Sequence, residues 1–157
     1  MRTLAGVCFL LPLLALSLVG CASVTKSVGL CSRTTQRIPL ADQTKRIEDE
    51  LKARVYVVRP YNYVGCAVGY RILEDRKYIG ELGAGGYLCW ETTPGNITLT
   101  SDTRGNLGGA MWNMDLKLEP GVVYYLQAHI VAEKVLEVLD PTVGERLLKK
   151  CQPPQKK

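Results

Sequence analysis

The sequence predicts a mainly β fold, an antiparallel sandwich of about seven or eight short strands with a short helix before it and another after it. Three observations point there. From Ala53 onward, short runs rich in Val, Ile, Thr and Tyr follow one another, the residue types that suit a pleated surface. Turn-forming pieces separate the runs: Glu74-Asp75-Arg76-Lys77, Thr93-Pro94-Gly95 and Glu119-Pro120-Gly121. Within several runs, apolar and polar residues alternate with the period of two that a half-buried strand requires.

The chain opens in another style. Arg2 is the only charge before Lys26, residues 4–18 are almost wholly apolar, and the small residues Gly20, Cys21, Ala22 and Ser23 follow. A charged start, a short apolar core and a small-residue exit read as a secretory signal peptide over residues 1–20. A spanning helix would need roughly 20 apolar residues to cross the hydrocarbon, more than this run supplies. Leu18, Val19, Gly20 and Cys21 resemble the bacterial lipobox position by position. That resemblance implies a mature chain beginning at Cys21, whose sulfur carries diacylglycerol as a thioether, with fatty acyl chains such as palmitate. The alternative is a soluble secreted protein cut near the same place. Ala22, where an Asp would suggest retention at the inner membrane, favours an outer-membrane anchor facing the periplasm.

Loss of residues 1–20 leaves 137 residues, enough for one domain and a tether, and removes Arg2, so the formal net charge falls from +5 to +4. The excess is spread out, with no dense basic run interleaved with aromatics, so nucleic acid is not an expected partner. The expected partners are the membrane, through Cys21, and an envelope protein or polysaccharide. Residues 21–38 read as the tether, 39–151 as the domain and 152–157 as a tail.

Each element follows from local pattern. After Pro39, Leu40, Ile47 and Leu51 fall on one helical face, which predicts a helix of about 12 residues. Strands are expected over 53–59, 64–73, 78–82, 87–92, 96–100, 112–118, 122–130 and 134–139, with Ile97 and Leu99 turned inward. Asp140 and Pro141 predict the start of a last helix running to Lys150.

Several of these pieces together carry a resemblance. Val55-Tyr56-Val57-Val58-Arg59-Pro60, Lys77-Tyr78-Ile79-Gly80-Glu81-Leu82, Gly85-Gly86-Tyr87, Pro94-Gly95-Asn96-Ile97-Thr98-Leu99 and Glu119-Pro120-Gly121 before Tyr124-Tyr125-Leu126 occur in that order. The set, spanning roughly Lys52 to Leu148, resembles a bacterial lipoprotein family called domain of unknown function 2846. The resemblance implies a transthyretin-like or carboxypeptidase-regulatory-like sandwich and supplies no reaction.

Six cysteines become four once Cys8 leaves with the signal and Cys21 is acylated. Cys31, Cys66, Cys89 and Cys151 then allow three disulfide connectivities, of which Cys66–Cys89 with Cys31–Cys151 is the favoured expectation. These cysteines lie outside the family pattern, so the resemblance does not bear on their pairing. None has C-x₂-C spacing and His129 is the only histidine, so no metal site is expected.

No catalytic constellation emerges, and neither an enzyme nor a cofactor is expected. His129 stands alone, there is no G-x-S-x-G elbow, and Gly80, Gly83, Gly85 and Gly86 do not form a phosphate loop. A hydrolase built on His129 would need a carboxylate beside it. Because the mature chain lacks Phe, most Tyr and Trp residues are expected in the core, Trp112 and Tyr124 among them. Tyr61 and Tyr63 follow Pro60 in a loop and are the candidates for binding, for instance by stacking on sugar rings in a peptidoglycan-binding module. The leading expectation is an envelope lipoprotein that acts as a non-catalytic binding or structural module.

Overall fold

The computed structural model describes residues 31–43, 47, 51–104, 110–129 and 135–155. The signal peptide, Cys21 and the first part of the tether lie outside the described residues, as do residues 105–109 of the loop expected before Trp112.

Two sheets pack face to face. One holds, in spatial order, β1 (Thr35–Gln36), β4 (Lys77–Leu82), β3 (Gly69–Glu74), β6 (Gly95–Arg104) and β7 (Met111–Leu118). The other holds β5 (Gly86–Thr92), β2 (Ala53–Arg59), β8 (Val123–Ala128) and β9 (Leu136–Leu139), and α1 (Pro141–Leu148) covers its outer face. The mainly β sandwich expected from the alternation is therefore what the chain forms. One ladder departs from the expected antiparallel pattern: β2 pairs with β8 in parallel, Val55 opposite Tyr124 and Val57 opposite Leu126. The chain between those strands builds β3, β4, β6 and β7 of the opposite sheet and β5 of this one before returning, so no hairpin forces the two to oppose.

The core lies between the sheets. Val55, Val57, Leu88, Trp90 and Leu126 meet Tyr70, Ile72, Ile79, Leu82, Ile97 and Leu99. Burying each such side chain contributes roughly 1.5–3 kcal/mol. Trp112 and Tyr124, expected in the core, pack half-buried against its margin. Trp90 is the fully buried tryptophan, and its indole Nε1 donates to the carboxylate of the buried Glu74, which also accepts from the Thr92 hydroxyl.

β2 is buried on both faces. Tyr56 and Val58 point away from the core toward α1, where Tyr56 stacks on Tyr125 with ring centroids 5.0 Å apart. Gly144 lets the helix sit this close, since a Cβ there would lie 2.3 Å from Tyr125 Cβ. The start of α1 matches its sequence signals: Pro141 is at the first turn and Asp140 Oδ1 accepts from the Thr142 amide at 2.9 Å.

Three expectations need correction. First, the disulfide joins Cys31 to Cys66, and Cys89 and Cys151 are free thiols. The expected Cys66–Cys89 pair fails because Cys89 lies between Leu88 and Trp90, which face the core, and so turns to the α1 side. Cys66, in contrast, lies in the loop that enters β3 of the opposite sheet. The expected Cys31–Cys151 pair fails because Cys151 follows α1 and packs in that same outer cluster, whereas the backbone of Ser32 is bonded to Cys66.

Second, residues 31–38, expected in the tether, belong to the fold. Thr34 is buried and its Oγ1 accepts from the Gly83 amide at 2.9 Å. The Gln36 side chain donates to the Cys89 carbonyl at 2.8 Å and accepts from the Cys89 amide at 3.0 Å, sealing the edge of β5 as a strand would. Part of the expected tail docks too: Gln152 donates its amide to Gly85 and Gln155 to Thr34, so main-chain bonds tie the two ends together.

Third, the strand expected over 64–73 begins at Gly69, because residues 60–68 form a compact loop. The helix expected over about residues 39–51 lies partly outside the described residues, and those of its residues that are described carry no helix.

Candidate functional site

The loop over residues 60–68 grows out of a buried arginine. Residues 53, 55, 57 and 59 share one side of β2, so the parity that sends Val55 and Val57 into the core also sends Arg59 there. Its side chain is among the largest fully buried ones, at 1% exposure. The Arg59 Nη1 donates to the carbonyls of Val68 and Leu82, the Nη2 donates to the Gly65 carbonyl at 2.9 Å, and the guanidinium lies 4.8 Å from the centre of the Tyr70 ring. Among the described residues no carboxylate pairs with it, and Nε has no hydrogen-bond partner. Burial pushes its pKa down, opposed in part by the Tyr70 phenol. A guanidinium suits this post, because its planar fork serves several carbonyls at once.

Pro60 ends β2 and the loop folds on that support. Asn62 Oδ1 accepts from the Val64 amide at 3.0 Å, Gly65 takes a left-handed conformation with φ 75°, and the Val68 amide donates back to the Gly65 carbonyl. From outside, the Cys31–Cys66 bridge and Ser32 hold the same turn, with Ser32 Oγ donating to the carbonyls of Cys66 at 3.1 Å and Val68 at 2.9 Å. Tyr61 lies over Gly85, where a Cβ would come within 3.3 Å of the ring-bearing carbon. The result is a loop fastened on two sides that displays Tyr61 at 62%, Tyr63 at 77% and Val64 at 68% exposure.

Beside this loop is a cleft of about 350 Å³ at the carboxyl ends of the parallel strands β2 and β8. Tyr61, Asn62 and Val64 line it from one strand's exit, Gln127 and His129 from the other's. His129 is held by its backbone: its amide donates to Val135 and its carbonyl accepts from the Tyr70 hydroxyl at 2.9 Å. Its Nε2 lies 2.9 Å from Glu137 Oε2. The sequence singled out Tyr61, Tyr63 and His129 separately, and the structure brings Tyr61 and His129 to one cleft. Glu137 escaped notice, because it meets His129 only through the β8–β9 ladder, in which it lies opposite Gln127, a residue that alternation already places on the face of His129.

Glu137 is the carboxylate beside His129 that a hydrolase built on that histidine would need. The cleft itself presents an aromatic face, side-chain amides and the imidazole of His129, and its lining holds no serine, threonine or cysteine. The free thiol of Cys89 is buried on the α1 side, where burial pushes it up to about 11 against a smaller pull from its hydrogen bond with Tyr56. A thiol so disposed stays protonated at neutral pH. A wider groove of about 610 Å³ runs beside β1, between Ile38, Leu40, Tyr78 and Pro154.

Among the described residues, no group of three His, Cys, Asp or Glu side chains is placed to hold a metal ion. Among those same residues, no helix is long and apolar enough to cross a membrane. No family model, curated protein or solved structure matches this chain.

Proposed function

We propose that the chain is a lipid-anchored module of the bacterial envelope, held at the outer membrane by an acylated Cys21 with its sandwich in the periplasm. It contacts its partner through the 60–68 loop and catalyses no reaction. The lipobox-like Leu18-Val19-Gly20-Cys21 supports the anchor, and the resemblance to domain of unknown function 2846 is consistent with it. The observation that carries the contact surface is the exposure of Tyr61, Tyr63 and Val64 on a loop pinned by Arg59 and by the Cys31–Cys66 bridge. A loop backbone held ready in one conformation loses little freedom on binding.

Cys21→Ala abolishes incorporation of labelled palmitate and moves the protein from the membrane to the soluble fraction. Unchanged fractionation of the variant sinks the anchor.

A second reading, a sugar- or peptidoglycan-binding module, draws support from Tyr61 standing beside Asn62, Gln127 and His129. A ring face for stacking and nearby amides for hydroxyls are what a pyranose needs. On this reading, wild-type protein is retained by isolated peptidoglycan and Tyr61→Ala weakens retention about tenfold, the equivalent of roughly 1.4 kcal/mol. A wild-type protein that washes through removes it.

A further inference from the structure

We infer that the 60–68 loop seats on the lipid bilayer itself, with Tyr61, Tyr63 and Val64 at the level of the headgroups. This rests on the lipid anchor proposed above. The argument begins with where the chain outside the fold ends. Cys31 is bonded to Cys66, with their Cα atoms 4.6 Å apart, so the segment coming from Cys21 enters the domain at this loop. Only nine residues lie between Cys21 and Cys31, ten Cα steps that span at most about 35 Å even if fully extended. Of all the surfaces on the sandwich, the one covalently joined to the tether is the one that carries the exposed Tyr61, Tyr63 and Val64.

Composition agrees. Residues 60–68, Pro-Tyr-Asn-Tyr-Val-Gly-Cys-Ala-Val, carry no charge, whereas the turn at Asp75-Arg76 and the end of α1 at Lys149-Lys150 are charged. Tyrosine is enriched at membrane–water interfaces, where its ring is apolar and its hydroxyl stays wet. Affinity need not be high. A tether this short gives an effective concentration on the order of millimolar or more, so an intrinsically weak contact is well populated once Cys21 is in the membrane. Seating also explains why so small a loop is fastened twice: a mobile loop would lose on ordering what its few side chains gain.

The test is fluorescence from a reporter in the loop. The acylated full-length mature protein carrying Tyr63→Trp is reconstituted into phosphatidylethanolamine–phosphatidylglycerol vesicles, and the emission of the unsubstituted protein, from Trp90 and Trp112, is subtracted. Seating predicts that the added emission is blue-shifted, at least halved by brominated acyl chains, and protected from aqueous iodide. Val64→Trp provides an independent reading, and peptide mapping confirms that the Cys31–Cys66 bridge is intact in each variant. An indole that iodide quenches and bromolipid does not, in protein that pellets with the vesicles, overturns the seating and leaves the anchor standing. Protein that stays in the supernatant overturns the anchor, and the seating falls with it. Shielding that appears only on adding peptidoglycan fragments identifies a glycan as the occupant and likewise overturns the inference.

Discussion

Replacing Arg59 by Met lowers stability by about 2–4 kcal/mol, because the carbonyls of Gly65, Val68 and Leu82 each lose a charged donor, Gly65 keeping the Val68 amide and Val68 keeping Ser32 Oγ. Exchanging a buried charge for an apolar side chain is harmless when its partners can be exchanged as well. Here the partners are main-chain carbonyls, which no substitution removes. Arg59→Lys recovers part of the loss, since one ammonium on a flexible stem cannot serve the end of β4 and the loop together. Urea unfolding measures the change, and amide exchange locates it. The Val68 amide, which closes the turn onto Gly65, exchanges faster in the variant than the amides at the centre of β2. An Arg59→Met protein with an unaltered unfolding midpoint refutes the assigned role. So does one whose loop exchanges as in the wild type.

Removing the Cys31–Cys66 bridge costs a similar amount. The bridge spans a sequence separation of 35 residues. In the chain-entropy model, closing a loop of that size restrains the unfolded chain by about 3.5–4 kcal/mol. Against a typical total of about 5–15 kcal/mol, this is a large share. The oxidised protein and Cys66→Ser, compared in urea, show a lower midpoint for the variant and a steeper dependence, because the unbridged chain exposes more surface when it unfolds. Peptide mapping of the oxidised protein recovers one bridge, Cys31–Cys66, and thiols at Cys89 and Cys151. Cys89 reacts with a thiol reagent only after denaturation, being fully buried. A bridge that contains Cys89 or Cys151 contradicts the structure.

The two effects converge on one loop from opposite sides. Arg59 holds it from the core and Cys31 from the chain that precedes the domain. Each variant therefore weakens the display of Tyr61, Tyr63 and Val64 as well as the fold, and neither suits a test of binding alone. Substitutions at the exposed tips, which leave both fastenings intact, separate contact from stability.

Much of this architecture was legible from local pattern. Alternation located β6 and β7, the Glu74–Lys77 and Glu119–Gly121 turns bounded their neighbours, and Asp140 with Pro141 marked the start of α1. These elements depend on residues a few positions apart, and the backbone's periods of two and 3.6 print themselves on the sequence at that scale. The position of Arg59 was legible too, by parity with Val55 and Val57, though its role was not. The exposure of Tyr61 and Tyr63 follows from Pro60, which ends the strand before them.

Tertiary structure alone decided the rest. The pairing of Cys31 with Cys66, the parallel register of β2 on β8, the docking of residues 31–38 and the meeting of Tyr61 with His129 all join segments far apart in the chain. Local propensity is blind to such contacts, because they form only when two sheets have already buried their apolar faces against each other. Cys89 illustrates the difference. Its neighbours Leu88 and Trp90 told which side of the strand it takes, but only the folded sandwich puts α1 on that side and Cys66 on the other sheet.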